Sequence, residues 1–199
     1  MPRVAANQAL EQTRNSVLRY GESGGREMLN LVVRRAIDMR DRRFIAVHRG
    51  GPLARPEHYL LAIWAADCAE HVLPLFAAHS SDDRPRLSVE TAKTWAHGEI
   101  RVGVAQKAAV ASHAAAREAT DASAIAVARA AGHAAATAHF AEHSLGSALY
   151  ALKAVEASGG SIGEERAWQL EQLPTEVREL VESALNSERM RRATPRMPA

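Results

Sequence analysis

The stretch Glu57–His79, EHYLLAIWAADCAEHVLPLFAAH, decides the fold. Its large apolar side chains recur every three or four residues, which places them on one face of an α-helix. Pro74 cannot donate a backbone hydrogen bond to the carbonyl of Glu70. We therefore expect a kink near residues 70–74, or a helix that stops at Leu73 and restarts. The apolar face consists of Leu60, Leu61, Trp64, Cys68, Val72, Leu75 and Phe76.

The rest of the chain has the composition of a helical protein. Of its 199 residues, 41 are alanine, the best helix former, and only 5% are aromatic. The spacing of apolar residues predicts a helix that ends near Ala96 and another over 100–118. It also predicts one long helix over 122–157 and two short helices within 162–187. We therefore expect an all-α fold, an irregular antiparallel helical bundle of about six or seven helices.

Charge divides the chain into three parts. We expect residues 1–42 to be a basic, partly helical N-terminal extension, residues 43–187 a single α-helical domain, and residues 188–199 a basic disordered tail. Residues 1–50 hold 10 arginines against 5 acidic residues, whereas residues 51–185 hold 17 acidic against 11 basic residues. An acidic body of this kind attracts basic partners and speeds their association.

Several classes of protein are excluded by simple features. The single cysteine, Cys68, rules out an internal disulfide framework and a four-cysteine zinc site. No run of 18 apolar residues without a charge and no secretory signal pattern is present, so we expect no membrane association and a cytoplasmic location. The arginine-rich segments 34–43 and 189–196 lack interleaved aromatic residues, so nucleic-acid binding is not expected.

Two polar groups on helices are candidates for a ligand site. Asp67, Glu70 and His71 lie on the polar side of the first strong helix, and Asp67 and His71 are one turn apart. His139 and His143 repeat this spacing, whereas His133 falls on a different face of the same predicted helix. Facing pairs of this kind could bind a metal. We expect instead a structural role, with an Asp67–His71 hydrogen bond joining two helices, and neither metal nor cofactor.

The segment Asp82-Asp83-Arg84-Pro85-Arg86 is a candidate contact for a partner or an anion. Arg84 and Arg86 could recognise a carboxylate or a phosphate. The alternative is a local charge pair and helix cap formed with Asp82 and Asp83. No catalytic residue is predicted, because Cys68 lies on the apolar face and nothing near it supplies an oxyanion hole.

From about residue 43 to residue 185, the chain resembles the immunity proteins of bacterial toxin systems. The resemblance implies an α-helical protein that neutralises a cognate toxin by binding, and it carries over no catalytic residues. The matching stretches are RFIAVHRGG at 43–51, LAIWAADCAEHVL at 61–73, DDRPR at 82–86, AAGHAAA at 130–136, and ERAWQL at 165–170 followed by Leu173-Pro174.

The sequence therefore supports two functions of different classes. The first is a non-enzymatic protein-binding role, in which the acidic body covers a basic toxin. The second is binding of a small ligand or a metal by the Asp67/Glu70/His71 and His139/His143 faces. The oligomeric state and the role of residues 1–42 stay open.

Overall fold

The computed structural model describes residues 41–193. The predicted N-terminal extension at 1–42 therefore lies almost entirely outside the described residues. Within them the chain forms seven α-helices of ten or more residues, two shorter α-helices, two short 3-10 helices (Arg42–Phe44 and Val47–Arg49) and no strand, which confirms the all-α fold. The helices are α1 (Arg55–His71), α2 (Leu73–Ala77), α3 (Arg84–Ala96), α4 (Val102–Glu118), α5 (Ala122–Ala136), α6 (His143–Ala157), α7 (Ile162–Glu171), α8 (Thr175–Leu185) and α9 (Glu188–Ala193).

The break predicted at Pro74 is confirmed. Helix α1 ends at His71, and Val72 separates it from the short helix α2. The amide of Leu75 bonds to the carbonyl of Val72, which tightens the chain where Pro74 has no amide hydrogen to give. The apolar face of α1 is buried as predicted, and both Trp64 and Cys68 have no exposed surface.

The single long helix predicted over 122–157 is wrong. Helix α5 ends at Ala136, residues 137–142 form a turn, and α6 packs back along α5. The carbonyl of Thr137 accepts a hydrogen bond of 2.7 Å from Nε2 of His58, a residue 79 positions away. This contact holds the chain where α5 ends. The turn lets α5 and α6 bury their small-residue faces against each other.

Helix α5 lies at the centre of the described domain, where it contacts α1, α2, α3, α4 and α6. Its alanine and glycine residues allow neighbouring helices to approach closely. Buried serines of those neighbours donate hydrogen bonds to its carbonyls: Ser88 to Ala131, Ser112 to Ala128 and Ser147 to Ala130. The hydroxyl of Ser147 also lies 2.7 Å from the carbonyl of Ala65 of α1, so its one proton is shared between carbonyls of α1 and α5.

The predicted disordered tail at 188–199 is wrong for its first part. Residues Glu188–Ala193 form helix α9, and Met190 is buried in the main hydrophobic core. Met190 lies beside Leu185 and Trp64, so this one apolar side chain anchors a segment whose other residues are mostly polar. Residues 194–199 lie outside the described residues. Among the described helices, none has the length and apolar character that crossing a membrane requires.

Candidate functional site

The acidic residues predicted on α1 are bound by a lysine of α3. The amine of Lys93 lies 2.9 Å from Oδ1 of Asp67 and 2.8 Å from Oε2 of Glu70. Burial opposes the charge on this amine, but the hydrogen bonds that it donates to Glu70 and Asp67 outweigh burial and raise the pKa of Lys93. Asp67 and Glu70 thus link α1 to α3.

His71 faces a different partner. Its Nδ1 donates a hydrogen bond of 2.8 Å to Oε2 of Glu165 on α7, and its ring stacks on Trp168 with 3.8 Å between ring centroids. Glu165 is buried, and its other carboxylate oxygen accepts a bond of 2.8 Å from Gln169. The predicted Asp67–His71 hydrogen bond is therefore wrong, because α7 brings a carboxylate to His71 while Lys93 draws Asp67 away.

Cys68 lies three residues before His71 but has no access to solvent. Burial raises the pKa of its thiol well above the ordinary value, and the nearby charges of Glu165 and Asp67 act in the same direction. The thiolate, which is the nucleophilic form of cysteine, is therefore disfavoured here. Cys68 packs as a small apolar side chain, as the sequence predicts.

His139 and His143 lie in a larger cluster, the histidine cluster, which also contains His113, His133 and Tyr150. The Nδ1 atoms of His133 and His143 are 3.1 Å apart, and the rings of His139 and His143 have centroids 5.1 Å apart. The ring of His133 stacks on Tyr150 at 5.2 Å, and the ring of His113 meets His133 nearly edge-on at 5.3 Å. Sequence reasoning did not bring His133 to His143 because it placed 122–157 on one straight helix, and it did not find His113 because that residue comes from a separate helix, α4.

Two glycines make room for the histidine cluster. A Cβ atom at Gly132 would lie 2.6 Å from Cε1 of His113, and one at Gly146 would lie 2.7 Å from Nδ1 of His133. Burial, together with the charge of His143, lowers the pKa of His133 to about 3. Burial also lowers the pKa of His113. Both rings are therefore neutral at neutral pH.

The replacement Gly146→Ala is expected to destabilise the protein by about 1–3 kcal/mol, because the new methyl group would push into the ring of His133, which Tyr150 and His143 hold in place. The matched control is Gly103→Ala in α4, where an added Cβ meets no atom within 4 Å. Urea denaturation of both variants gives the comparison. An equal midpoint for Gly146→Ala and Gly103→Ala would contradict the tight fit around His133.

The two predicted faces do not form one metal centre. Within residues 41–193, no group of three or more His, Cys, Asp or Glu side chains is arranged to hold a metal ion. His71 is bonded to Glu165, while His133 and His143 contact each other. The contacts that the structure gives these side chains join helix to helix.

The segment at 82–86 is held by its own ion pairs. Nε of Arg84 lies 2.8 Å from Oδ2 of Asp82, and Arg84 also pairs with Glu118 of α4. Arg86 lies 2.8 Å from Oδ2 of Asp83 and pairs with Glu90 one turn further on. The amide of Arg84 donates to Asp82, which fixes the start of α3. An outside anion would have to displace a carboxylate from each arginine.

A second group of acidic residues is left without such partners. Five exposed glutamates at the end of α6 and on α7 and α8 form no ion pair with any residue that the structure describes. They differ in this from Asp82, Asp83 and Glu118, whose charges are neutralised by arginine. We call these five residues the C-terminal acidic set: Glu156, Glu164, Glu171, Glu176 and Glu179.

The comparison with protein families gives a match. The family described as "Imm-5 like putative immunity protein" matches residues 51–176. The chain belongs to this family. The immunity family therefore spans α1 to α7, including the His71–Glu165 pair and the histidine cluster, which confirms the resemblance found in the sequence over a somewhat narrower range. The comparisons with curated proteins and with solved structures gave no match.

Proposed function

We propose that this member of the immunity family neutralises a cognate bacterial toxin by binding it directly in the cytoplasm, without catalysis. Family membership supports the immunity role. The observation that supports the mode of binding is the C-terminal acidic set, whose carboxylates are exposed and unpaired within the described residues. A basic surface on the toxin would supply the missing partners.

The distribution of paired and unpaired charges favours the exposed faces of α7 and α8 as the contact. Around α3, the carboxylates already have cationic partners in Arg84, Arg86 and Lys93, so a basic partner would gain little there. On α7 and α8, the carboxylates of Glu171 and Glu179 face solvent alone. Unpaired charges of one sign speed encounter with an oppositely charged protein and fix the orientation in which it docks.

The test uses toxin candidates encoded by genes adjacent to this one. We expect co-expression of the chain to restore growth of cells that produce the cognate toxin. The double variant Glu171→Lys/Glu179→Lys should lose protection and bind the toxin at least about tenfold more weakly, because two favourable contacts become repulsive. Both positions are exposed, so the fold should survive, and a thermal melt checks this.

The matched control is Glu90→Lys/Glu118→Lys, which makes the same change of charge on α3 and at the end of α4, at two glutamates that already pair with arginine. Both glutamates are exposed, and Arg86 keeps its pair with Asp83 when Glu90 is replaced. This variant should protect as well as the unmodified chain. Equal loss of protection in the two double variants would show that net charge alone matters, and unimpaired protection by Glu171→Lys/Glu179→Lys would remove the acidic set from the interface.

A further inference from the structure

An open groove of about 670 Å³ is lined by residues that do not include any member of the C-terminal acidic set. It runs between the first turns of α1 and α4. Buried Leu53, Trp95 and Ala138 form its apolar floor, and the ring of Tyr59 meets Trp95 edge-on with 5.0 Å between ring centroids. Val47 lies at the rim of the groove, and 59% of its surface is exposed. The volume is in the range of known ligand pockets.

The rim of the groove is positively charged. Arg55 begins α1 and Arg101 is the N-cap of α4, and both side chains are exposed. Neither arginine forms an ion pair with a described residue, and no carboxylate is among the described residues that line the groove. The N-terminal end of α4, a 17-residue helix with no side-chain cap from the described residues and no acidic residue in its first turn, adds positive potential at the same place.

The polar group in the floor is already satisfied. Nε2 of His58 is bonded to the carbonyl of Thr137 at 2.7 Å, and its ring packs edge-on against Trp95 at 5.0 Å. Burial lowers the pKa of His58, and the neighbouring His48 and Arg49 act in the same direction. The floor is therefore neutral, and the charge that a ligand would meet is concentrated at the arginines of the rim.

We propose that this groove binds an acidic peptide segment of a partner protein, with a large apolar side chain on the Trp95 floor and carboxylates at Arg55 and Arg101. The groove is open on one side, which suits a side chain presented by a protein. The two ends of this chain have the wrong sign of charge for a basic groove, because residues 1–50 and 186–199 are both net basic. The site is separate from the acidic set, so the test of this proposal does not depend on the proposed toxin contact.

The probe is a fluorescein-labelled hexapeptide, EELFEE, titrated with the full chain and followed by fluorescence anisotropy. Two further peptides serve as comparisons: KKLFKK reverses the charge, and EEGSEE removes the apolar side chains. We expect EELFEE to bind with a Kd below about 1 mM and at least about tenfold more tightly than either comparison peptide. Raised salt should weaken the binding, because the arginines are exposed.

The variant Arg55→Glu/Arg101→Glu should weaken EELFEE binding by about tenfold or more. Lys107→Glu/Arg117→Glu, which makes the same change of charge at exposed positions of α4 away from the groove, should leave the Kd within about twofold. Val47→Ser, at an exposed rim position, tests the apolar part of the site and should also weaken binding. The proposal is overturned if EELFEE fails to bind at about 1 mM, if KKLFKK or EEGSEE binds equally well, or if the groove variant binds like its control.

Discussion

Replacement of Trp64 by alanine is expected to lower the free energy of unfolding by about 3–5 kcal/mol. The indole has no exposed surface and is the largest fully buried side chain of the described residues. Its Nε1 donates a hydrogen bond of 2.8 Å to the carbonyl of Gln169, so it also joins α1 to α7. Truncation would leave a cavity where α1, α7 and Met190 of α9 meet.

Urea denaturation followed by far-ultraviolet circular dichroism measures this loss without relying on tryptophan emission. Trp168→Ala is the matched control, because Trp168 is only partly buried and stacks on His71 near the surface. The control should cost clearly less than Trp64→Ala. A loss at Trp64 equal to or smaller than the loss at Trp168 would contradict the packing described for α1.

Acidification from pH 7 to pH 5 is expected to destabilise the protein through the histidine cluster. In the unfolded chain a histidine gains a proton near its ordinary pKa of 6.5, whereas folded His133 gains one only near pH 3. Between these values the unfolded state binds more protons, so lowering the pH favours unfolding. The stabilisation is complete above about pH 6.5, and His133 alone would lose about 2 kcal/mol of it by pH 5.

The environment of the cluster reinforces this direction. The charges of Arg129 and Arg117 disfavour a proton on His113, and Arg129 also disfavours one on His133. The measurement is the urea midpoint at several pH values between 7 and 5, for the unmodified chain and for His133→Gln. His97→Gln, at an exposed position after α3, is the control. The account requires a shallower pH dependence in His133→Gln than in His97→Gln, and equal slopes would contradict it.

The local features of the fold could be predicted from the sequence. The spacing of apolar residues places Trp64 and Cys68 on one buried face of α1, and the chemistry of Pro74 predicts the break before α2. Each of these depends on neighbours within two turns. Helical spacing is therefore sufficient to derive them, together with the all-α class.

Contacts between distant segments could not be predicted in this way. The end of α5 depends on a hydrogen bond from His58 to Thr137, and no glycine or proline near residue 137 signals it. The partner of His71 is Glu165, which lies 94 positions away. The sequence favours the nearer carboxylate, Asp67, but in the structure Lys93 binds Asp67 and α7 supplies Glu165 instead.

The candidate site also depends on contacts between distant segments, which helical spacing does not predict. The hairpin of α5 and α6 brings His133 to His143, which a single straight helix over 122–157 does not do, and the packing of α4 against α5 adds His113. The burial of Met190 against the core could not be predicted, because a single apolar residue among arginines forms no helical pattern. Charge alone indicates that this part of the chain is acidic. Only the structure shows that the glutamates of the C-terminal acidic set are exposed and lack partners among the described residues.

The central claim is that the chain neutralises a toxin by reversible binding. The most direct test is to titrate the purified toxin of the adjacent gene with the purified chain, and to measure toxin activity and complex formation together. The account predicts that activity falls in proportion to the fraction of toxin bound, and that it returns in full, with the mass of the toxin unchanged, once high salt separates the two proteins. Inactivation by far less than an equimolar amount of the chain, or inactivation that persists after separation, would contradict it.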